Sequence, residues 1–189
     1  MTFVLGLSGS LRKGSYTTAL LRAASRNLPE GVRMEIADIS TLPLYNRDLE
    51  VGGRVPDSVR AFRDYCTTAD AFLFAIPEAT FGIPGPLKNA LDWTFRNQVI
   101  TDKNTMSGKV CAVIGVGTVD QPQYYFPRIK EWAQSMNMIT LDRTVYVNKN
   151  SVSLQAFDVK GKVVDPEIQK NLKALIQEMA ETSRKTHKH

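Results

Sequence analysis

With 189 residues, 43% of them hydrophobic, the chain is long enough for one domain with a sizeable core and short for two, and no apolar stretch approaches the roughly 20 residues of a membrane span. Part of the formal charge of +5 sits in the terminal Arg184, Lys185 and Lys188 and the rest is interspersed with acidic residues; with no zinc-finger or RRM signature, that reads as a solvated basic surface that attracts anionic ligands, and no nucleic-acid partner is expected. Both histidines, His187 and His189, lie in the same terminal segment, which rules out a Ser-His-Asp or Cys-His machine and a His-rich zinc site, so an enzyme built on this chain takes its chemistry from a cofactor.

Phe3 to Leu7 is an apolar run that reads as a first strand. It feeds a loop rich in glycine and hydroxyl residues, Ser8 to Thr17, after which the Leu20, Leu21, Ala24, Leu28 spacing turns helical. Arg33 to Ala37 is a short second strand, followed by the loop Leu42 to Glu50 and a helix from about Pro56 to Thr67, with Val59, Phe62 and Cys66 on one face and Pro56 suited to its first turn. Ala71 to Ile76 is a third strand, and Pro84 opens a helix through Leu87, Leu91 and Phe95. Lys109 to Ile114 is a fourth strand, Pro127 to Met136 a helix and Ile139 to Val147 a fifth strand. Asn148 to Val164 is linker-like, an excursion or a partner contact. The last helix starts at Asp165-Pro166-Glu167, a cap plus an N1 proline, and carries Leu172, Leu175, Ile176 and Met179.

Apolar strands alternating with helices imply a parallel sheet covered on both faces. The expected fold is a doubly wound, three-layer α/β sandwich of flavodoxin type with strand order 2-1-3-4-5, in a single domain over residues 1–189 that ends in a basic tail from about 183. Ligands of such folds lie beyond the carboxyl ends of the strands at the switch in strand order, which singles out the loops after strands one, three and four. Cys66 and Cys111 are isolated and read as buried free thiols. The N-terminus enters a strand without the basic and apolar regions of a signal peptide, so a cytoplasmic location is expected.

The loop after strand one combines close backbone approach at glycine, hydroxyl donors and the free N–H groups of a helix start, which together make a phosphate cradle. Gly9 and Gly14 have the spacing of G-x-x-x-x-G-K-[ST], but Ser15 stands where that motif needs its lysine, and Ser8 interrupts the first glycine pair of G-x-G-x-x-G. Several hydroxyls, one arginine and no carboxylate suit a terminal phosphomonoester better than a triphosphate or a pyrophosphate. The segment Pro77 to Trp93, with its prolines and glycines, offers either a rigid surface on which to lay a planar ring or simply a helix start. After strand four, Gly115-Val116-Gly117-Thr118 permits close approach and hydroxyl donation, and reads equally well as a plain strand-to-helix turn.

Taken together, Gly9 to Tyr16, Leu42-Pro43-Leu44-Tyr45-Asn46 and the block from Pro77-Glu78 to Trp93 resemble the NADPH-dependent FMN reductase family, which includes chromate, quinone and azo-dye reductases. The resemblance runs from Phe3 to about Met136. It implies bound FMN and hydride transfer from NADPH or NADH through the flavin to a small-molecule acceptor: a quinone, a free flavin, an azo compound or a metal oxyanion. It also implies a homodimer or homotetramer, with the flavin rather than any side chain carrying the catalysis.

By the same resemblance, Ser10, Arg12, Ser15 and Tyr16 would hold the FMN phosphate with Thr17 beside them, and Pro77, Glu78, Ala79 and Thr80 would lie along the isoalloxazine. Gly115, Gly117 and Thr118 would approach it from strand four. The family usually has asparagine at the position of Thr17, Tyr-Asn where this chain has Ala79-Thr80, and a serine- and glycine-rich turn after strand four. The loss of an aromatic ring and an amide beside the flavin bears on its affinity, its potential or the choice of acceptor. Arg47, Lys88 and Arg96 are tempting partners for the anionic nicotinamide cofactor, although Lys88 and Arg96 read better as a solvated helix face. Two other classes share the fold: an electron carrier, which the basic balance opposes, and a flavin-free binding protein, which Ala79 and Thr80 leave open.

Overall fold

Seven consecutive buried residues, Thr2–Ser8, form β1 of a five-stranded parallel sheet of order β2-β1-β3-β4-β5. The computed structural model describes residues 1–52, 54–77, 82–95, 105–118, 126–148 and 156–186. The other strands are β2 (Val32–Ile36), β3 (Ala71–Pro77), β4 (Val110–Gly117) and β5 (Ile139–Asn148). The described helices are α1 (Tyr16–Arg26), α2 (Asp57–Thr68), α3 (Gly85–Phe95), α4 (Phe126–Ser135) and α5 (Pro166–Thr186), with a 3-10 turn at Arg47–Leu49. Parallel pairing of every neighbour and the strand order match the expectation from sequence.

β3 and β4 are continuous apolar runs because both of their faces are covered. The two-residue period of a strand sends Phe72 and Phe74 to one face and Leu73 and Ala75 to the other. The first face packs on Val59, Phe62 and Cys66 of α2, Leu87 and Leu91 of α3, and Ile129 and Ala133 of α4. The second packs on Leu20, Leu21 and Ala24 of α1 and on Leu172, Leu175, Ile176 and Met179 of α5.

Helix starts follow the capping residues. Ser15 caps α1, and the Asp165 carboxylate accepts from the amides of Glu167 (2.7 Å) and Ile168 (3.1 Å) at the start of α5. Pro56 occupies the N-cap of α2, so that helix begins at Asp57. α5 runs on to Thr186 with Ser183 buried, so residues 183–186 of the expected tail are helical.

Within the linker-like region, residues 156–164 fold back through an antiparallel bridge between Phe157 and Val163, and both side chains join the α1/α5 core. Residues 149–155 lie outside the described residues. Cys66 and Cys111 are buried and free, and burial pushes both thiols up to about 12.

Candidate functional site

β1, β3 and β4 deliver their carboxyl ends side by side at the place where the strand order reverses. The loop leaving β1 continues the ladder for one more step, because the Gly9 amide donates to the Ala75 carbonyl at 2.8 Å. A Cβ on Gly9 would lie 2.8 Å from Pro84 Cγ and 2.9 Å from Pro77 Cδ, so only glycine lets the loop seat against the end of β3 and the start of α3.

Beyond Gly9 the loop is held from beneath by hydroxyls. Ser8 Oγ lies 2.9 Å from Thr18 Oγ1 and 3.4 Å from Thr17 Oγ1, and Thr17 Oγ1 lies 2.7 Å from Ser15 Oγ. Thr17 is 2% exposed, so its hydroxyl is used inside the protein. The Tyr16 ring packs on Phe157 at a centroid distance of 4.5 Å, with the Arg12 guanidinium carbon 5.9 Å from the ring centre. What Tyr16 and Thr17 present outward is main chain. Ser15 N bonds to the Arg12 carbonyl and Thr18 N to Ser15 Oγ (3.4 Å), whereas the amides of Tyr16 and Thr17 donate to no described residue.

Two amides with no partner among the described residues, at the positive end of α1, form an anion-binding set with the half-buried Ser10 and the exposed Arg12. No carboxylate lies in the loop to oppose it. A Cβ on Gly14 would meet nothing within 4 Å, so this side of the loop is open to a ligand. The donor set fits the phosphate of FMN.

Of the residues expected beside the ring, Pro77 ends β3 half-buried and pairs with Val116, while Gly117 ends β4 beside Asn148, with Thr118 half-buried next to it. Gly115 serves packing: a Cβ there would stand 2.8 Å from the ring of Phe126 and 2.9 Å from the Ile76 carbonyl. Glu78, Ala79 and Thr80 lie outside the described residues, as does Arg96. Arg47 is exposed, and Lys88 pairs with Asp92 along the outer face of α3.

Several positioning residues escape sequence reasoning. The Leu42 to Asn46 segment is fastened to α3, with Trp93 Nε1 (2.8 Å) and Asn89 Nδ2 (2.9 Å) donating to the Pro43 carbonyl and the Tyr45 amide donating to Asn89 Oδ1 (2.7 Å). Arg63, 5% exposed, donates to the Trp93 carbonyl (2.8 Å) and to Glu50 Oε1 (3.0 Å). Asn89 and Trp93 sit in the same sequence block as Pro77, and that shared block was the one available signal of this fastening.

Comparison with known proteins agrees with this geometry. The model of the NADPH-dependent FMN reductase family matches residues 2–152. A Pseudomonas aeruginosa protein described as an NAD(P)H-dependent FMN reductase is 38% identical over 91% of this chain and 92% of its own length. An Arabidopsis thaliana NADPH:quinone oxidoreductase is 39% identical over 92% of this chain and 87% of its own. Among solved structures, the flavoenzyme NAD(P)H:(acceptor) oxidoreductase of Paracoccus denitrificans superposes with a TM-score of 0.83 at 26% identity, covering 98% of this chain and 99% of the other. This chain belongs to the NADPH-dependent FMN reductase family.

Proposed function

We propose that this protein holds FMN with its phosphate at the start of α1, takes reducing equivalents from NADPH or NADH and delivers them to a quinone. The observation that carries the reading is the pair of free amides, Tyr16 N and Thr17 N, beside Ser10 and Arg12 at the positive end of α1. Bound FMN would supply the chemistry, carrying the two electrons and proton of the nicotinamide hydride to the quinone, which becomes a hydroquinone with a second proton from solvent.

The chain's own residues bind and orient. Ser10 and Arg12 donate to the phosphate together with the Tyr16 and Thr17 main chain. The Ser15 and Thr17 hydroxyls brace the loop from behind. Pro77, Gly117 and Thr118, at the ends of β3 and β4, would border the ring. Gly115 lets Phe126 close the floor beneath β4. The quinone is favoured as acceptor by the relatives named as quinone oxidoreductases.

We read the working form as a homodimer. Leu44, Leu49 and Val51 are exposed on a segment tied to α3, and Arg63 brings Glu50 to the carbonyl of Trp93, two residues before the exposed Phe95. These exposed apolar side chains suit burial against a second copy of the chain. No described helix is long and apolar enough to cross a membrane, and a cytoplasmic setting completes the reading.

Anaerobic titration of the FMN-reconstituted protein with NADPH tests the proposal. Loss of the flavin band near about 450 nm and its return on adding a benzoquinone are expected. Retained flavin that NADPH and NADH both leave oxidised would refute it.

A further inference from the structure

Residues 156–164, between β5 and α5, lie beyond residue 152, where the family match ends. They form a closed unit. The Asp158 amide donates to the Lys162 carbonyl (2.8 Å), the Gly161 amide to the Asp158 carbonyl (2.8 Å) and the Val164 amide to the Ala156 carbonyl (2.9 Å). Asp158 Oδ1 accepts from the amides of Lys160 (2.9 Å) and Lys162 (2.8 Å), and Gly161 closes the turn with a φ of 73°. The base of the unit is fixed. Ala156, Phe157 and Val163 are buried in the core shared with α1 and α5, and Gln169 Nε2 of α5 donates to the Val163 carbonyl (3.2 Å).

This unit meets the flavin cradle at Tyr16. The rings of Phe157 and Tyr16 pack at 4.5 Å between centroids with their planes at 44°, and Gly161 passes alongside, where a Cβ would lie 4.0 Å from Tyr16 Cε1. Tyr16 is the first residue of α1, and its amide donates to no described residue. The Arg12 guanidinium carbon lies 5.9 Å from the centre of the same ring. Arg12 is exposed and has no ion-pair partner among the described residues, so the Tyr16 ring is the described support of its side chain. One aromatic side chain thus joins a main-chain donor of the cradle to the cradle's cation, and Phe157 fixes that side chain.

We propose that Phe157 is a positioning residue of the flavin-phosphate cradle. Packed on Tyr16, it fixes the first turn of α1 and, through the Tyr16 ring, the Arg12 guanidinium, and so raises affinity for the phosphate of FMN from a buried place of its own. The inference rests on the flavin reading proposed for the start of α1. It adds to that site an element that follows the last strand.

The test compares FMN with riboflavin on the full-length apoprotein by quenching of flavin fluorescence. Phe157→Leu, which keeps an apolar side chain but no ring, should raise the Kd for FMN about tenfold and leave that for riboflavin within about twofold. Val163→Ala, across the bridge from Phe157 in the same core, separates positioning from stability: it should lower the Tm and keep the wild-type ratio of the two Kd values. In a double-mutant cycle the loss caused by Phe157→Leu should shrink from about tenfold to about threefold in an Arg12→Ala background, because the cation it positions is gone. A wild-type ratio in Phe157→Leu, an equal loss in Val163→Ala, or additive losses with Arg12→Ala would overturn the inference. Wild-type protein that binds both flavins equally would instead refute the phosphate reading on which it rests. The unmutated protein gives an independent check: saturating FMN should slow amide hydrogen exchange at Asp158, Gly161 and Val164 more than saturating riboflavin does. Equal protection by the two flavins would break the link between this turn and the phosphate, and with it the proposal.

Discussion

The amide of Gly9 donates to the carbonyl of Ala75 at 2.8 Å, so the phosphate loop is an outgrowth of the β1–β3 ladder. Loop and ring platform therefore share one fixed point, with the proline rings of Pro77 and Pro84 closed over the place where a Cβ would stand. Gly9→Ala would have to move stiff rings, at a cost of about 1–3 kcal/mol. It should lower the urea midpoint and raise the Kd for FMN together. Gly14→Ala, where a Cβ meets nothing within 4 Å, should keep wild-type stability.

Thr17 acts through its neighbours. Its buried hydroxyl lies 2.7 Å from Ser15 Oγ, the capping atom of α1. Thr17→Val keeps the shape and leaves Ser15 Oγ only the Thr18 amide as partner, which should cost about 1 kcal/mol. Thermal melting with and without FMN checks this: the variant's Tm should fall in the apoprotein already, as a bracing role requires and a ligand-only role does not.

Arg63 is the fastening of the Leu42 to Glu50 segment, with side-chain exposures of 5% for Arg63 and 11% for its partner Glu50. Removing one member of a buried pair costs about 3–5 kcal/mol. Arg63→Met should therefore lower the unfolding free energy by that amount in denaturant titration, and limited proteolysis should then cut within residues 42–52.

The two thiols give stability a pH dependence on the alkaline side. Unfolded thiols ionise near 9.0 and the native ones near about 12, so between those values the unfolded state binds fewer protons and stability falls as pH rises. The slope is about 1.4 kcal/mol per pH unit for each thiol. Lys109, whose Nζ donates to the Cys66 and Thr67 carbonyls, is lowered by burial from 10.5 and offsets part of the loss below that pH. Cys66→Ala/Cys111→Ala should flatten the decline, and a thiol reagent at pH 8 should label the native wild type only as fast as it unfolds.

Leu44→Asp/Val51→Asp places charge on the exposed apolar segment. Sedimentation of the wild type should give a dimer or larger, and the double variant should run as a monomer of 21.1 kDa.

The strands were legible because each is a local apolar run, and the phosphate loop because its donors are consecutive in sequence. Asp165 could be read as a cap for the same reason. What escaped depends on contacts distant in sequence. That the Thr17 hydroxyl faces inward follows from Ser8, nine residues earlier. That Gly9 is needed for packing follows from Pro77 and Pro84. That Arg63 ties Glu50 to Trp93 follows from the way α2 lies on α3.

The central claim is that the start of α1 holds the flavin's phosphate, and it is tested most directly by comparing FMN with riboflavin through quenching of flavin fluorescence on the apoprotein. FMN should bind about 100-fold tighter, the contribution of two or three charge-assisted hydrogen bonds. Equal affinities for the two flavins would contradict the account.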